Sequence, residues 1–122
     1  MKTVSSVLVN LVRIIFLIQL ILGISFWSGH ALTLIGAHML LGLAIVLCLW
    51  ISAVVAATAR VQTGMVVAAF VWGAIVVALG ITQDSLVPGV AHWTIQVLHL
   101  VVGFGAIGLN ERLNRLTQAR LT

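Results

Sequence analysis

The chain has almost no acid. Asp84 and Glu111 are the only carboxylate side chains among 122 residues. No carboxylate pair, nucleophile–histidine–acid set or phosphate-binding loop is present, which leaves hydrolytic chemistry without residues to carry it. Both acids also fall outside the apolar stretches. A compact proton-coupled exporter would want a carboxylate inside the membrane, so a small transporter ranks behind the other readings. Cysteine occurs once, at Cys48. It can form no internal disulfide, no C-x-x-C-H attachment sequence is present, and inside its apolar run it reads as a small core or lipid-facing residue. Charge of either sign is scarce: 7% of the residues are charged, against about 25% in a soluble domain.

What the chain has instead is apolar length. Hydrophobic residues make up 62%, and mean hydropathy is +1.28. Such a surface would not stay dispersed in water, which makes the class integral membrane protein. A helical span needs about 20 residues, so four spans fit and leave only short loops. Transmembrane barrel strands alternate apolar and polar residues, and the run from Leu40 to Ile51 does not. The expected fold is all-α, a single domain over residues 1–122. Its helices are expected at about 7–27, 30–58, 65–82 and 90–110 by apolar run and turn signals. Lys2 before an apolar run resembles a signal peptide, but the run is long and lacks a small-x-small site, so it reads as a retained helix. Arg13 is expected to snorkel to the interface, and Trp27 to mark the far end of helix 1. The only proline, Pro88, falls with Asp84 in the longest loop, Thr82 to Gly89. A polar tail is expected after residue 110.

The basic residues fall at the N-terminus (Lys2, Arg13), the 2–3 turn (Arg60) and the C-terminal stretch (Arg112, Arg115, Arg120). The 1–2 and 3–4 turns carry none. By the positive-inside pattern both termini belong in the cytoplasm, with the chain in the plasma or inner membrane. Nucleic-acid binding is not expected, because the bases form no single soluble patch. Short connections make successive helices antiparallel neighbours, which gives an up-down-up-down four-helix bundle. Helices 2 and 4 then run parallel on its diagonal.

Within that plan one pattern occurs twice. Leu22-Gly23-Ile24 is followed by Thr33, His38 and Gly42, and Leu79-Gly80-Ile81 by Thr94, His99 and Gly103. Helices 1–2 and 3–4 thus read as two hairpins related by an axis along the membrane normal, a parallel repeat. The Gly-to-His interval is 15 residues in one copy and 19 in the other, a difference the Asp84/Pro88 loop can absorb. Ionisable residues within a span are costly and usually functional. Two imidazoles on equivalent diagonal helices, His38 about eight and His99 about nine residues into their helices, would lie at similar depth, roughly 12–14 Å from the outer end. They suggest axial ligation of one haem iron. Gly42 and Gly103, one turn further along the same faces, would let a flat macrocycle approach the backbone. Gly23 and Gly80 would thin the bundle at the edges of the ring. The competing reading of each histidine is a neutral side chain bonded between helices, and of each glycine, ordinary close packing; Gly36, Gly73, Gly105 and Gly108 are read the second way.

His30 and His92 lie near the outer boundary. They precede His38 and His99 by about two turns, some 10–12 Å of rise, which crowds a second haem. Hydrogen bonds to haem propionates or water fit them better, and interfacial histidines without function remain the alternative. Gln19 and Gln96 could bind a ligand imidazole, a propionate or a quinone carbonyl, or else bond across helices, which is the favoured reading. Trp50 and Trp72 read as packing residues.

The strings IQLILGISFWSGHALTLIGAHMLLGLAIVL and HWTIQVLHLVVGFGAIGL look like membrane b-type haem bundles. The first resembles the Q-x-x-L-G…H segment in half-bundles of haem A synthase. The overall plan is similar to small four-helix haem proteins of the cytochrome b561 kind, over about residues 18 to 110. The resemblance implies His38 and His99 as axial ligands of haem b. The chain departs from the two-haem cytochromes, whose ligands on one helix lie about four turns apart, and it lacks the arginines and additional histidine pairs of a full haem A synthase. The expected function is a b-type cytochrome, a stand-alone electron carrier or a redox subunit in preference to a self-contained enzyme. A quinone or redox protein would be its partner, and further copies or a larger complex are open. The alternative is a haem-free accessory or assembly subunit of a membrane complex.

Overall fold

The computed structural model describes residues 1–122. It is all-helical: α1 (Lys2–Trp27), α2 (Ile35–Thr58), α3 (Thr63–Thr82) and α4 (Trp93–Leu121), with 3-10 turns at Leu32–Leu34 and Gln83–Ser85 and no strand. All four helices are long and apolar enough to cross a membrane.

The turns have identifiable chemistry. At the end of α1 the Gly29 N–H bonds the Phe26 carbonyl and the His30 N–H bonds the Ser25 carbonyl, the Schellman pairing with glycine in the left-handed position (φ +80°). The same pairing ends α2, where the Arg60 N–H bonds Ala57 and the Val61 N–H bonds Ala56. Arg60 takes the left-handed position there, at φ +58°, and Val61 and Ala56 are both buried in one apolar cluster. That hydrophobic contact is the usual companion of the motif.

Three helix bounds differ from the sequence expectation by five residues or more, and the starts of α3 (Thr63) and α4 (Trp93) by two and three. α2 begins at Ile35 and not at residue 30, because Gly29 and Ala31 both have positive φ and the chain makes a 3-10 turn before the helix starts. α1 begins at Lys2, and α4 runs to Leu121 through the stretch expected as a tail. These two extensions hold each other. The Ser5 hydroxyl donates to Asn114 Oδ1 (2.6 Å), and the Gln118 amide donates to the Lys2 carbonyl (2.9 Å) and to Ser6 Oγ (3.1 Å). Buried Asn110, Leu113 and Thr117 continue the inward face begun by Val102 and Ala106, at the three- and four-residue spacing of one helix face. Arg13 does not snorkel alone. Its guanidinium meets Glu111 through two bonds, of 2.5 and 2.8 Å, and Asn10 through a third.

α1 packs on α2 and α4, α3 packs on the same two, α2 and α4 also meet, and α1 and α3 stand apart. One end of the structure carries both termini and Arg60; the other carries the 28–34 and 83–92 connections. The first is the basic end and the second the histidine end. The packed core lies toward the basic end. One cluster joins Leu49, Ala53, Ala56, Val61, Ala69, Ala106 and Leu113; another joins Leu8, Val12, Ile15, Ile45 and Cys48. No residue in 16–44 or 80–101 is buried.

Candidate functional site

His38 and His99 meet at the histidine end, with ring centroids 6.3 Å apart and planes inclined at 53°. Their depths along the helices are not the eight and nine residues expected. His38 is three residues past Ile35, where α2 begins, and His99 six past Trp93, where α4 begins. The rings are level nonetheless, because the 3-10 turn Leu32–Leu34 carries the chain in before α2 starts.

Each imidazole rests on a glycine of its own hairpin. A Cβ built on Gly23 would lie 3.8 Å from His38 Cε1, and one built on Gly80 would lie 3.7 Å from His99 Cε1. The contact of α1 on α2 is thus repeated by α3 on α4. Gly42 and Gly103 are used differently. A Cβ at Gly42 would meet the Gln19 amide nitrogen at 3.1 Å, and one at Gly103 would meet the Phe16 ring at 3.7 Å. Both glycines therefore accommodate side chains of α1. Gln19 bridges helices, as favoured from sequence, and its bond runs to the pair itself: Nε2 donates to the His38 carbonyl at 2.8 Å.

His30 and His92 are not brought to the pair. His30 Nδ1 lies 3.3 Å from Ser28 Oγ, and His92 Nδ1 lies 3.1 Å from the Leu86 carbonyl, so each pins its own turn. The tryptophans pack, as expected, and also hydrogen-bond. Trp50 donates to the Phe70 carbonyl across from Gly73, and Trp72 to the Val102 carbonyl across from Gly105. Two residues escaped the sequence reading, one beside the pair and one in the basic half. Phe26 stands edge-on to His38 at 5.2 Å; its place three residues after Gly23 put it on the same face of α1. Asn110 is buried with both amide atoms unpartnered, and its spacing from Ala106 and Leu113 marked it as inward.

The chain matches no family model, no curated protein and no solved structure.

The site is therefore read from its own atoms. The Nδ1 atoms of both histidines are buried without a hydrogen-bond partner, which is costly in an apolar setting. No third His, Cys, Asp or Glu joins them, so the donor set is unlike a structural zinc site, which takes four protein ligands. Two axial imidazoles sharing one metal ion, each about 2 Å from it through nitrogen, place their ring centroids about 6 Å apart. The observed separation fits that arrangement. Two grooves on the surface, of about 550 and 360 Å³, are lined by residues of the basic end (Arg60, Gln62 and Thr63 in one; Trp72, Gly108 and Arg112 in the other) and by neither histidine.

Proposed function

We propose that the chain is a membrane b-type cytochrome holding one haem between His38 and His99 and passing single electrons. One observation carries the reading: two imidazoles from equivalent helices stand 6.3 Å apart, each seated on a glycine of its own hairpin. The buried, unpartnered Nδ1 atoms and the loosely covered histidine end support it.

In this reading the helices form an up-down-up-down bundle across the plasma or inner membrane, and the two hairpins are related by an axis along the membrane normal. The basic end, with Lys2, Arg60, Arg112, Arg115 and Arg120, faces the cytoplasm together with both termini. His38 and His99 would hold the haem iron. The haem supplies one-electron chemistry when bound. Around it the protein sets the potential through ligand orientation, hydrogen bonds to the imidazoles and the low-dielectric surroundings. Gly23 and Gly80 keep the faces of the two imidazoles clear, and Phe26 limits rotation of His38. Leu49, Val46 and Val12, all fully buried, close the basic half below the pair. In this reading electrons are exchanged at the outer face, with a quinone or a redox protein. His30 and His92 lie there, where they hold the turns that frame the mouth.

The absorption spectrum of detergent-solubilised protein tests this reading. The expected result is a red protein with a sharp reduced α-band, lost in both His38→Ala and His99→Ala and kept in His30→Ala and His92→Ala. A protein that stays colourless after haem supplementation refutes the cytochrome and favours the haem-free accessory subunit. Loss of haem in all four variants refutes the single-haem assignment.

A further inference from the structure

We propose that the groove between α3 and α4 at the basic end binds an anionic phospholipid, with an acyl chain along the groove and the phosphate on Arg112. The inference goes beyond the electron-transfer reading. It rests on the membrane placement of the helices and is independent of haem.

The groove follows from where the two helices carry small residues. Trp72 of α3 lies over Gly105 of α4, where a Cβ would run into the indole, and Gly80 lies against His99. These two contacts set α3 and α4 antiparallel. From the first of them, Ala68 and Gly108 lie four and three residues toward the basic end, about 6 and 4.5 Å of rise, so the two stand nearly level. Neither fills the seam between the helices: a Cβ on Gly108 would meet nothing within 4 Å. Met65 and Arg112 lie seven residues from Trp72 and Gly105 and are level in turn. The result is a groove of about 360 Å³ lined by these residues, a volume in the range of small-molecule sites. Seven residues of helix make it about 10 Å long. Trp72 closes it toward the middle of the bundle, held there by its bond to the Val102 carbonyl (2.9 Å), and Arg112 stands at the other end.

Charge selects the occupant. Arg112 is exposed and neither acid of the chain is available to it. Glu111 gives both carboxylate oxygens to Arg13, and Asp84 belongs to the 83–85 turn at the histidine end. Arg60, Arg115 and Arg120 add to the positive charge of this end. The balancing anion therefore comes from outside the chain. A guanidinium meets a phosphate through paired, charge-assisted bonds. A zwitterionic headgroup would bring its own ammonium in among the arginines, whereas an anionic one brings none. Basic pockets between membrane helices on the cytoplasmic side suit such headgroups. The apolar length below Arg112 takes the acyl chain, and a water-soluble phosphate would leave it empty.

The test counts the lipids retained by the full-length protein in native mass spectrometry. Detergent micelles are doped with equal amounts of phosphatidylglycerol and phosphatidylcholine carrying the same acyl chains. The wild type is expected to retain one phosphatidylglycerol with about fivefold preference, the effect of one arginine near the headgroup. Arg112→Gln removes the preference. Arg120→Gln, an equal change of charge about 12 Å further along α4, keeps it. Gly108→Leu places its side chain in open space, fills the groove and lowers retention of both lipids; Ala68→Leu, from the facing helix, serves if that variant does not fold. Equal retention of the two lipids by the wild type overturns the proposal. So does an Arg112→Gln no different from Arg120→Gln, which would make the preference a property of the whole basic end, and so does unchanged retention in the filled groove. A dimer lost in Gly108→Leu, with no lipid bound, would give the groove to a second copy of the chain and likewise overturn it. Each outcome reads the same with or without haem.

Discussion

The basic half and the histidine half are built from equally apolar sequence and are packed in opposite ways. In the basic half Val12, Val46, Leu49, Ala53, Ala56, Ala69 and Leu113 have no accessible surface. Polar groups there are tied between α1 and α4 by Ser5, Asn114 and Gln118. In the histidine half Leu40 is 72% exposed and Ile81 68%, and the contacts between helices that stand out are of side chains on glycine or on histidine. Hydropathy cannot register this difference, since lipid-facing and core-facing leucines are alike to it. The contrast assigns work to each half: the basic half holds the helices together, and the histidine half holds two imidazoles.

The largest effect should come from cutting the packed half. Leu49→Ala and Leu113→Ala each remove a fully buried side chain and should cost about 2–5 kcal/mol, read as the denaturant midpoint in one detergent. Leu40→Ala should stay within about 0.5 kcal/mol. Similar losses at Leu40 would erase the distinction between the halves.

Next in size is the effect of filling the other half. Haem at a hundredfold excess over its dissociation constant should stabilise the wild type by about 2.7 kcal/mol. It should add nothing to His38→Ala or His99→Ala. Amide exchange locates the gain: new protection should fall in residues 16–44 and 80–101, where no side chain is buried, and little in the basic half. Protection gained chiefly around Leu49 and Leu113 would put the site elsewhere.

A third comparison uses glycines within one helix. A Cβ on Gly105 would run into the Trp72 indole, whereas one on Gly108 meets nothing within 4 Å. Gly105→Ala should cost about 1–3 kcal/mol through overpacking. Gly108→Ala should gain roughly 0.5–1 kcal/mol, the ordinary helix preference for alanine. Thermal unfolding of the pair measures both.

How much of this was legible before the fold can be traced residue by residue. The four apolar helices follow from run length alone, and the turn at Ser28–Gly29 from its small polar residues; of the turn expected at Gln62–Gly64 only Gln62 lies outside a helix, since α3 starts at Thr63. The repeat led to His38 and His99, because equal spacing around a histidine survives when little other identity does. What the sequence hid were relations between helices. α4 looked finished at residue 110, because Arg112, Arg115 and Arg120 dominate the stretch; its inward face of Leu113 and Thr117 becomes visible only with α1 beside it. Gly42 and Gly103 looked like room for a macrocycle, yet Gln19 and Phe16 of α1 lie over them, and no spacing within α2 or α4 could announce that. Asn110, with no partner for its amide, has no physical account in this structure.

The smallest expected effect tests whether the two hairpins are alike where they meet the imidazoles. A methyl at Gly23 or Gly80 would come no nearer than 3.8 or 3.7 Å to the facing Cε1 atom, ordinary van der Waals contact, so neither substitution should strain the bundle. Each alanine should gain roughly 0.5–1 kcal/mol from helix preference, and the two gains should agree within about 0.3–0.5 kcal/mol, the range over which separate sites behave independently. The double variant should show their sum. Leucine at either position would reach past the methyl into the imidazole, and should lower haem affinity from either side while leaving the Leu49–Leu113 core, and hence folding without haem, nearly unchanged. If Gly23→Leu abolished haem binding and Gly80→Leu did not, the two imidazoles would be held differently. The equivalence of α1 on α2 with α3 on α4 would then reduce to a coincidence of two similar distances.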